Sequence, residues 1–65
     1  MNLINILSWQ KEGGVLNVLI KGKEYTYYYV DEFNYRRILS LLMHNNSSAV
    51  VKLLKNFSHK EYHNG

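Results

Sequence analysis

Four groups of side chains in this sequence could do chemistry, and their spacing says which kind. His59 and His63 stand four apart with Glu61 between them, a spacing that on a helix would offer two ligands to a metal ion. No apolar stripe anchors a helix there and no third ligand is evident, so a solvated tail is expected and no metal is assigned. Asp31 and Glu32 are adjacent. On a helix their carboxylates diverge and cannot flank one bond as a glycosidase pair must. Ser47, Ser48 and Ser58 lie outside any nucleophile elbow. A nucleophile, a base and an orienting group inside a walled pocket are hard to build in 65 residues. No catalytic residue, no cofactor and no enzymatic activity are therefore expected.

The fourth group is aromatic and cationic. Tyr25, Tyr27, Tyr28 and Tyr29 crowd one segment. If Tyr25 and Tyr27 face a core, Tyr28 points the other way, with neighbours drawn from Leu19, Asn17 and Lys21. A ring beside a lysine on an open sheet is how several small modules stack a base and hold its phosphate. Tyrosine is also simply a good strand former. Arg36 and Arg37 follow Tyr35 and, if Tyr35 is buried, point about 100° and 200° away from it. They could contact phosphate or an acidic protein, or pair with Asp31 and Glu32 about one turn back. Lys52 and Lys55, three apart on one side of a helix, form the densest cationic spot, for which a solvated face is the favoured reading over a binding one. The candidate binding residues are thus Tyr28, Lys21, Leu19, Arg36, Arg37, Lys52 and Lys55.

The elements that must position them follow from the apolar period. Leu3 to Trp9 reads as a first strand, and Gln10-Lys11-Glu12-Gly13-Gly14 is turn chemistry, since glycine admits the positive φ that hairpin loops need. Leu16, Val18 and Ile20 alternate with Val15, Asn17, Leu19 and Lys21, and Lys21-Gly22-Lys23-Glu24 makes a second turn. Tyr25 to Val30 is a third β-rich run. Strands are expected near 3–9, 15–21 and 24–30. At Asp31 the period switches from 2 to 3.6. Asp31 is a good N-cap and Glu32 adds a favourable charge to the first turn. Tyr35, Ile38, Leu39 and Leu42 form one stripe. Asn45-Asn46 ends that helix, and Ser47 or Ser48 can cap a second one in which Val50, Leu53, Leu54 and Phe57 repeat the spacing. Helices are expected near 32–44 and 48–57. The fold class is α+β, a three-stranded antiparallel meander followed by two amphipathic helices packed on one sheet face. One domain is expected over 1–57, with a frayed tail over 58–65. The expected core is Leu16, Val18, Ile20, Tyr25, Tyr27, Ile38, Leu39, Leu42, Val50, Leu53 and Leu54. The other sheet face stays open unless a partner covers it.

So small a chain buries only about 60% of the surface its unfolded form exposes. It has no cysteine for a disulfide and no proline. The residues Met-Asn-Leu-Ile-Asn-Ile-Leu carry no basic n-region and only short apolar runs, so neither a secretory signal nor a membrane span is expected. A cytoplasmic location is the expectation, the host cytoplasm if the protein is viral. The net charge is +3 and is uneven. Lys52, Lys55 and Lys60 against Glu61 leave the last third most basic. A mild excess like this permits a nucleic-acid or acidic-protein partner without demanding one.

The pattern Leu16-x-Val18-x-Ile20-x-Gly22-x-x-Tyr25-x-Tyr27-x-x-Val30, followed by a helix with Tyr35 and Leu39, resembles the KTSC domain. This small domain is named for the C-terminus of some lysyl-tRNA synthetases and also occurs as free-standing proteins in bacteria and phages. The resemblance spans roughly residues 4–57. Trp9-Gln10 stands where the family often has Tyr-Asp, and Val30-Asp31 where it usually has Val-Pro. Ser47-Ser48-Ala49 stands where the family tends to a Gly-Lys-like step. The resemblance implies this fold and a nucleic-acid-binding role.

Two functions follow as expectations. One is a small non-catalytic binding module for nucleic acid. The other is a protein-interaction factor, such as a phage-encoded inhibitor or regulator that docks on an acidic host protein. In the second case the open face, with Val15, Leu19 and Tyr28, would be the interface or a homodimer seam.

Overall fold

The computed structural model describes residues 3–62. The chain runs β1 (Ile4–Gln10), a 3-10 turn (Glu12–Gly14), β2 (Val15–Ile20), β3 (Lys23–Tyr27), α1 (Glu32–Met43), α2 (Ser47–Leu54) and β4 (His59–Tyr62). The strands form one antiparallel sheet in the order β1-β2-β3-β4. The α+β class, the first three strands and the two helices match the sequence-based expectation. The fourth strand corrects it: His59–Tyr62 pairs with β3 where a frayed tail was expected. His63 lies outside the described residues.

Each element has a local cause. The β2–β3 hairpin closes through Lys21 (φ 50) and Gly22 (φ 82), the two positive-φ positions that the tight hairpin turn requires. Asp31 caps α1 by accepting from the Asn34 backbone N–H at 2.9 Å. Asn45 (φ 56) ends α1, with the Asn46 N–H donating to the Leu41 carbonyl and the Asn45 N–H to that of Leu42. This is the Schellman pattern, and it satisfies carbonyls that the last helical turn leaves bare. The cap of α2 is Asn46, whose Oδ1 accepts from Ala49 at 3.3 Å, and not Ser47 or Ser48 as expected.

The third strand stops at Tyr27 rather than continuing to Val30. Tyr29 adopts φ 62, which breaks the alternation, turns its ring to solvent and sends Val30 into the core. The Tyr29 and Val30 N–H groups donate to the Gly13 and Gly14 carbonyls at 3.1 and 2.9 Å. Pairing therefore resumes against the 3-10 turn after β3 has ended.

Alternate side chains of β1, β2 and β3 set the core face. Leu16 and Val18 of β2 are fully buried, opposite Tyr27 and Tyr25 of β3. On β1 the register slips between Ile6 and Ser8, leaving Leu7 as the extra residue of a bulge. Before the bulge Ile4 and Ile6 pair with the core-facing residues Ile20 and Val18; after it, Trp9 pairs with Leu16. Trp9 stacks on Tyr35 of α1 with ring centroids 4.3 Å apart, and its indole N–H donates to the Val30 carbonyl at 2.9 Å. Val30, Ile38, Val50 and Leu54 complete the buried cluster.

The helix stripe differs from expectation at one place. Leu41 and Leu42 pack on the core with Tyr35 and Ile38, whereas Leu39 is 36% exposed. Ile4 and Val30, absent from the expected core, are buried. Ile20, Tyr25, Leu42 and Leu53 are half-buried.

Burial, with Tyr25 adding a smaller repulsion, raises the Tyr27 phenol above its ordinary value of 10.0. Folding thus favours the neutral phenol, a contribution fully present below pH 10.0 and lost as pH rises through the raised value. Urea unfolding at about pH 9 and about pH 11 should show Tyr27→Phe losing less stability than the parent. Equal losses in the two proteins would remove Tyr27 as a source of alkaline instability.

Candidate functional site

The open face of the sheet is organised by a row of polar side chains. Ser8, Asn17 and Thr26 lie side by side on β1, β2 and β3. Thr26 Oγ1 donates to Asn17 Oδ1 at 2.6 Å, and Asn17 Nδ2 donates to Ser8 Oγ at 2.9 Å. Thr26 is buried and satisfied by this row. Val15 and Leu19 lie on either side of Asn17 on the same strand, both half-buried. The apolar residues expected to form one interface are thereby split by a hydrogen-bonded asparagine. Trp9, Tyr25 and Tyr27, the rings of the three long strands, belong to the opposite, helix-covered side.

The expected pairing of Tyr28 with Lys21 is not assembled. Tyr28 lies just beyond the Leu16–Tyr27 end of the hairpin, with its N–H bonded to the Ser58 carbonyl at 2.9 Å. Lys21 lies in the turn at the other end, beyond the Ile20–Lys23 pair. At about 3.4 Å per residue the two are roughly 20 Å apart along the strands, and Leu19 stands nearer Lys21 than Tyr28. β2 ends at Ile20 rather than continuing through Lys21, whose φ of 50 begins the turn and carries it off the open face.

Arg36 and Arg37 are exposed on the outer side of α1, as expected, where they border a shallow hollow with Phe33 and Ser40. Arg36 is paired: its Nη2 lies 3.0 Å from Glu32 Oε2, and Lys11 Nζ approaches the other oxygen of Glu32 at 3.8 Å. These are exposed pairs of small energetic weight, but they place a carboxylate among the cations of this surface. Phe33 is 72% and Met43 83% exposed on the same helix.

Lys21, Lys52 and Lys55, far apart in sequence, border one cleft of about 310 Å³. It opens between the β1 and β2 ends on one side and α2 on the other. Ile4 and Ile20 form its apolar floor, and Leu3 and Val51 its partly exposed lip. Ser47 and Ser48 also line it. None of the three lysines makes an ion pair among the described residues, and no carboxylate lines the cleft. The turn at Lys21-Gly22 brings the first lysine there, and the Lys21 N–H donating to the Leu3 carbonyl at 3.0 Å ties it to the start of β1.

Leu3 and Val51 were not among the sequence-derived candidates. A signal for Val51 exists, since Ser48, Val51, Lys52 and Lys55 recur at i, i+3, i+4 and i+7. This is a second stripe beside the core stripe of Val50, Leu53 and Leu54. Leu3 carries no such signal, because only the folded sheet brings it beside α2.

Among the described residues, no three His, Asp or Glu side chains converge as a metal-binding group, and no helix is long and apolar enough to cross a membrane. No family model matches the chain, and neither a curated protein nor a solved structure matches it.

Proposed function

We propose that this protein is a small non-catalytic binding module that docks on an acidic surface of another protein, the role of a regulatory or inhibitory factor. The observation that carries this reading is the gathering of Lys21, Lys52 and Lys55, three cations without carboxylate partners among the described residues, around one apolar-floored cleft. Cations on a shared rim steer and orient an acidic partner, and the apolar floor supplies the contact area that charge alone does not. The outer side of α1 is a weaker candidate, because Glu32 already partners its Arg36.

A nucleic-acid partner is the second reading. The net charge of +3 and the resemblance to the KTSC domain favour it. Against it, single-strand recognition relies on rings exposed for stacking. Trp9, Tyr25 and Tyr27 are packed on the core, and the exposed rings of Tyr29 and Phe33 lie outside the cleft that Lys21, Lys52 and Lys55 border.

Fluorescence anisotropy with a labelled glutamate-rich polypeptide and a labelled 20-mer single-stranded DNA separates the two. The polypeptide is expected to bind, and Lys52→Glu with Lys55→Glu to weaken it at least about tenfold while the fold, read by circular dichroism, is unchanged. Tighter binding of the oligonucleotide, falling steeply as salt rises from about 50 to about 200 mM, would replace the protein-docking reading with the nucleic-acid one.

A further inference from the structure

We propose that the cleft between the β1–β2 ends and α2 receives one apolar side chain of an acidic peptide segment, whose flanking carboxylates meet Lys21 on one wall and Lys52 and Lys55 on the other. This rests on the protein-docking reading above and goes further, since it specifies what the partner presents. The lining has two chemistries in separate places. Ile4 and Ile20 form the floor, while Leu3 at 51% and Val51 at 37% exposure leave apolar surface open at the lip. Lys21, Lys52 and Lys55 are exposed and line the same cleft, and their long, flexible stems can add apolar surface to it while the ammonium groups stay in water.

That division selects the occupant. A phosphodiester strand would satisfy the lysines but gain nothing from an aliphatic floor, and no aromatic ring lines the cleft to stack a base. A uniformly acidic surface would likewise leave the floor wet. A segment with one leucine-sized residue between carboxylates satisfies both. The volume of about 310 Å³ lies at the low end of ligand pockets, enough for one large side chain and its adjoining backbone. Exposed ion pairs contribute weakly and are screened by salt, so the buried side chain should set the affinity and the lysines the orientation.

The test uses two labelled heptapeptides, Glu-Asp-Glu-Leu-Glu-Asp-Glu and the same peptide with serine at the centre, together with the 20-mer oligonucleotide. The leucine peptide is expected to bind about 10- to 100-fold more tightly than the serine peptide, the range for burying one such side chain. Val51→Glu, on an exposed helix position, should abolish that difference with the fold intact. Arg37→Glu, on the outer side of α1, should leave it unchanged. Methyl resonances of Leu3, Ile4 and Val51 should shift on addition of the leucine peptide. If the two peptides bind equally, the cleft proposal is wrong while docking on an acidic partner stands. If neither peptide binds, or only the oligonucleotide does, both are wrong. Shifts confined to α1 would also overturn the cleft as the site.

Discussion

Gly14→Ala is expected to leave the protein largely unfolded at room temperature. Gly14 adopts φ 61, and a Cβ there would lie 2.6 Å from both the nitrogen and the oxygen of Val30. Those atoms cannot move aside cheaply. The Val30 N–H donates to the Gly14 carbonyl, the Val30 carbonyl accepts from the Trp9 indole, and the Val30 side chain is fully buried. The left-handed conformation alone costs an L-residue roughly 1–2 kcal/mol. The backbone clash adds to this, and the total should exceed about 4 kcal/mol, the exceptional end for one substitution. A core in a 65-residue chain with no cysteine rarely supplies more than about 3–5 kcal/mol, so little stability would remain. Gly22→Ala is the control. Its φ is 82 but nothing lies within 4 Å of the added carbon, so only the conformational cost of roughly 1–2 kcal/mol should appear. Amide NMR spectra and urea midpoints read both variants. Equal effects at the two glycines would mean that Val30 does not pack against Gly14.

The second large effect is expected at Ile38, and it is paired with a small one at its neighbour. Ile38 is fully buried among Val30, Val50 and Leu54, so Ile38→Ala should cost about 2–5 kcal/mol through lost transfer energy and a residual cavity. Leu39 is 36% exposed and stands outside the buried cluster, so Leu39→Ala should cost only about 1 kcal/mol. Urea denaturation of the two variants measures the ratio directly. A larger loss at Leu39 would rotate α1 by one residue and bring back the stripe expected from sequence.

That contrast shows how far the sequence was legible. Leu39, Leu41 and Leu42 all lie in α1, and the 3.6-residue period admits a stripe through Leu39 as readily as one through Leu41. Tyr35, Ile38 and Leu42 belong to both stripes, and the packing of α1 on the core takes Leu41 and leaves Leu39 exposed. Trp9 reaches Tyr35 only because the bulge at Leu7 shifts β1 by one residue. A bulge leaves almost no mark in a run such as Ile4-Asn5-Ile6-Leu7-Ser8-Trp9, which reads as an ordinary strand. The fourth strand is illegible in the sequence for a related reason. His59-Lys60-Glu61-Tyr62 has no alternating apolar side, and an edge strand needs none, because backbone hydrogen bonds to β3 place it.

The candidate site divides along the same line. Lys52 of α2 and Lys55, the residue that caps its C-terminus, were legible as one cationic spot because they stand three apart, about one helical turn, and the Lys21-Gly22 turn was legible from the glycine. That Lys21 joins them, and that Tyr28 does not, depends on which end of the hairpin faces α2. Local sequence encodes periods, caps and turns because those arise from contacts a few residues apart. The bulge, the reversal at Tyr29, the packing of Val30 on Gly14 and the meeting of Leu3 with Val51 join residues from about 15 to nearly 50 positions apart, or re-phase elements against one another. They arise only when the helices close over the sheet, where burying Leu16, Val18, Ile38 and Val50 together outweighs the preference of any one segment.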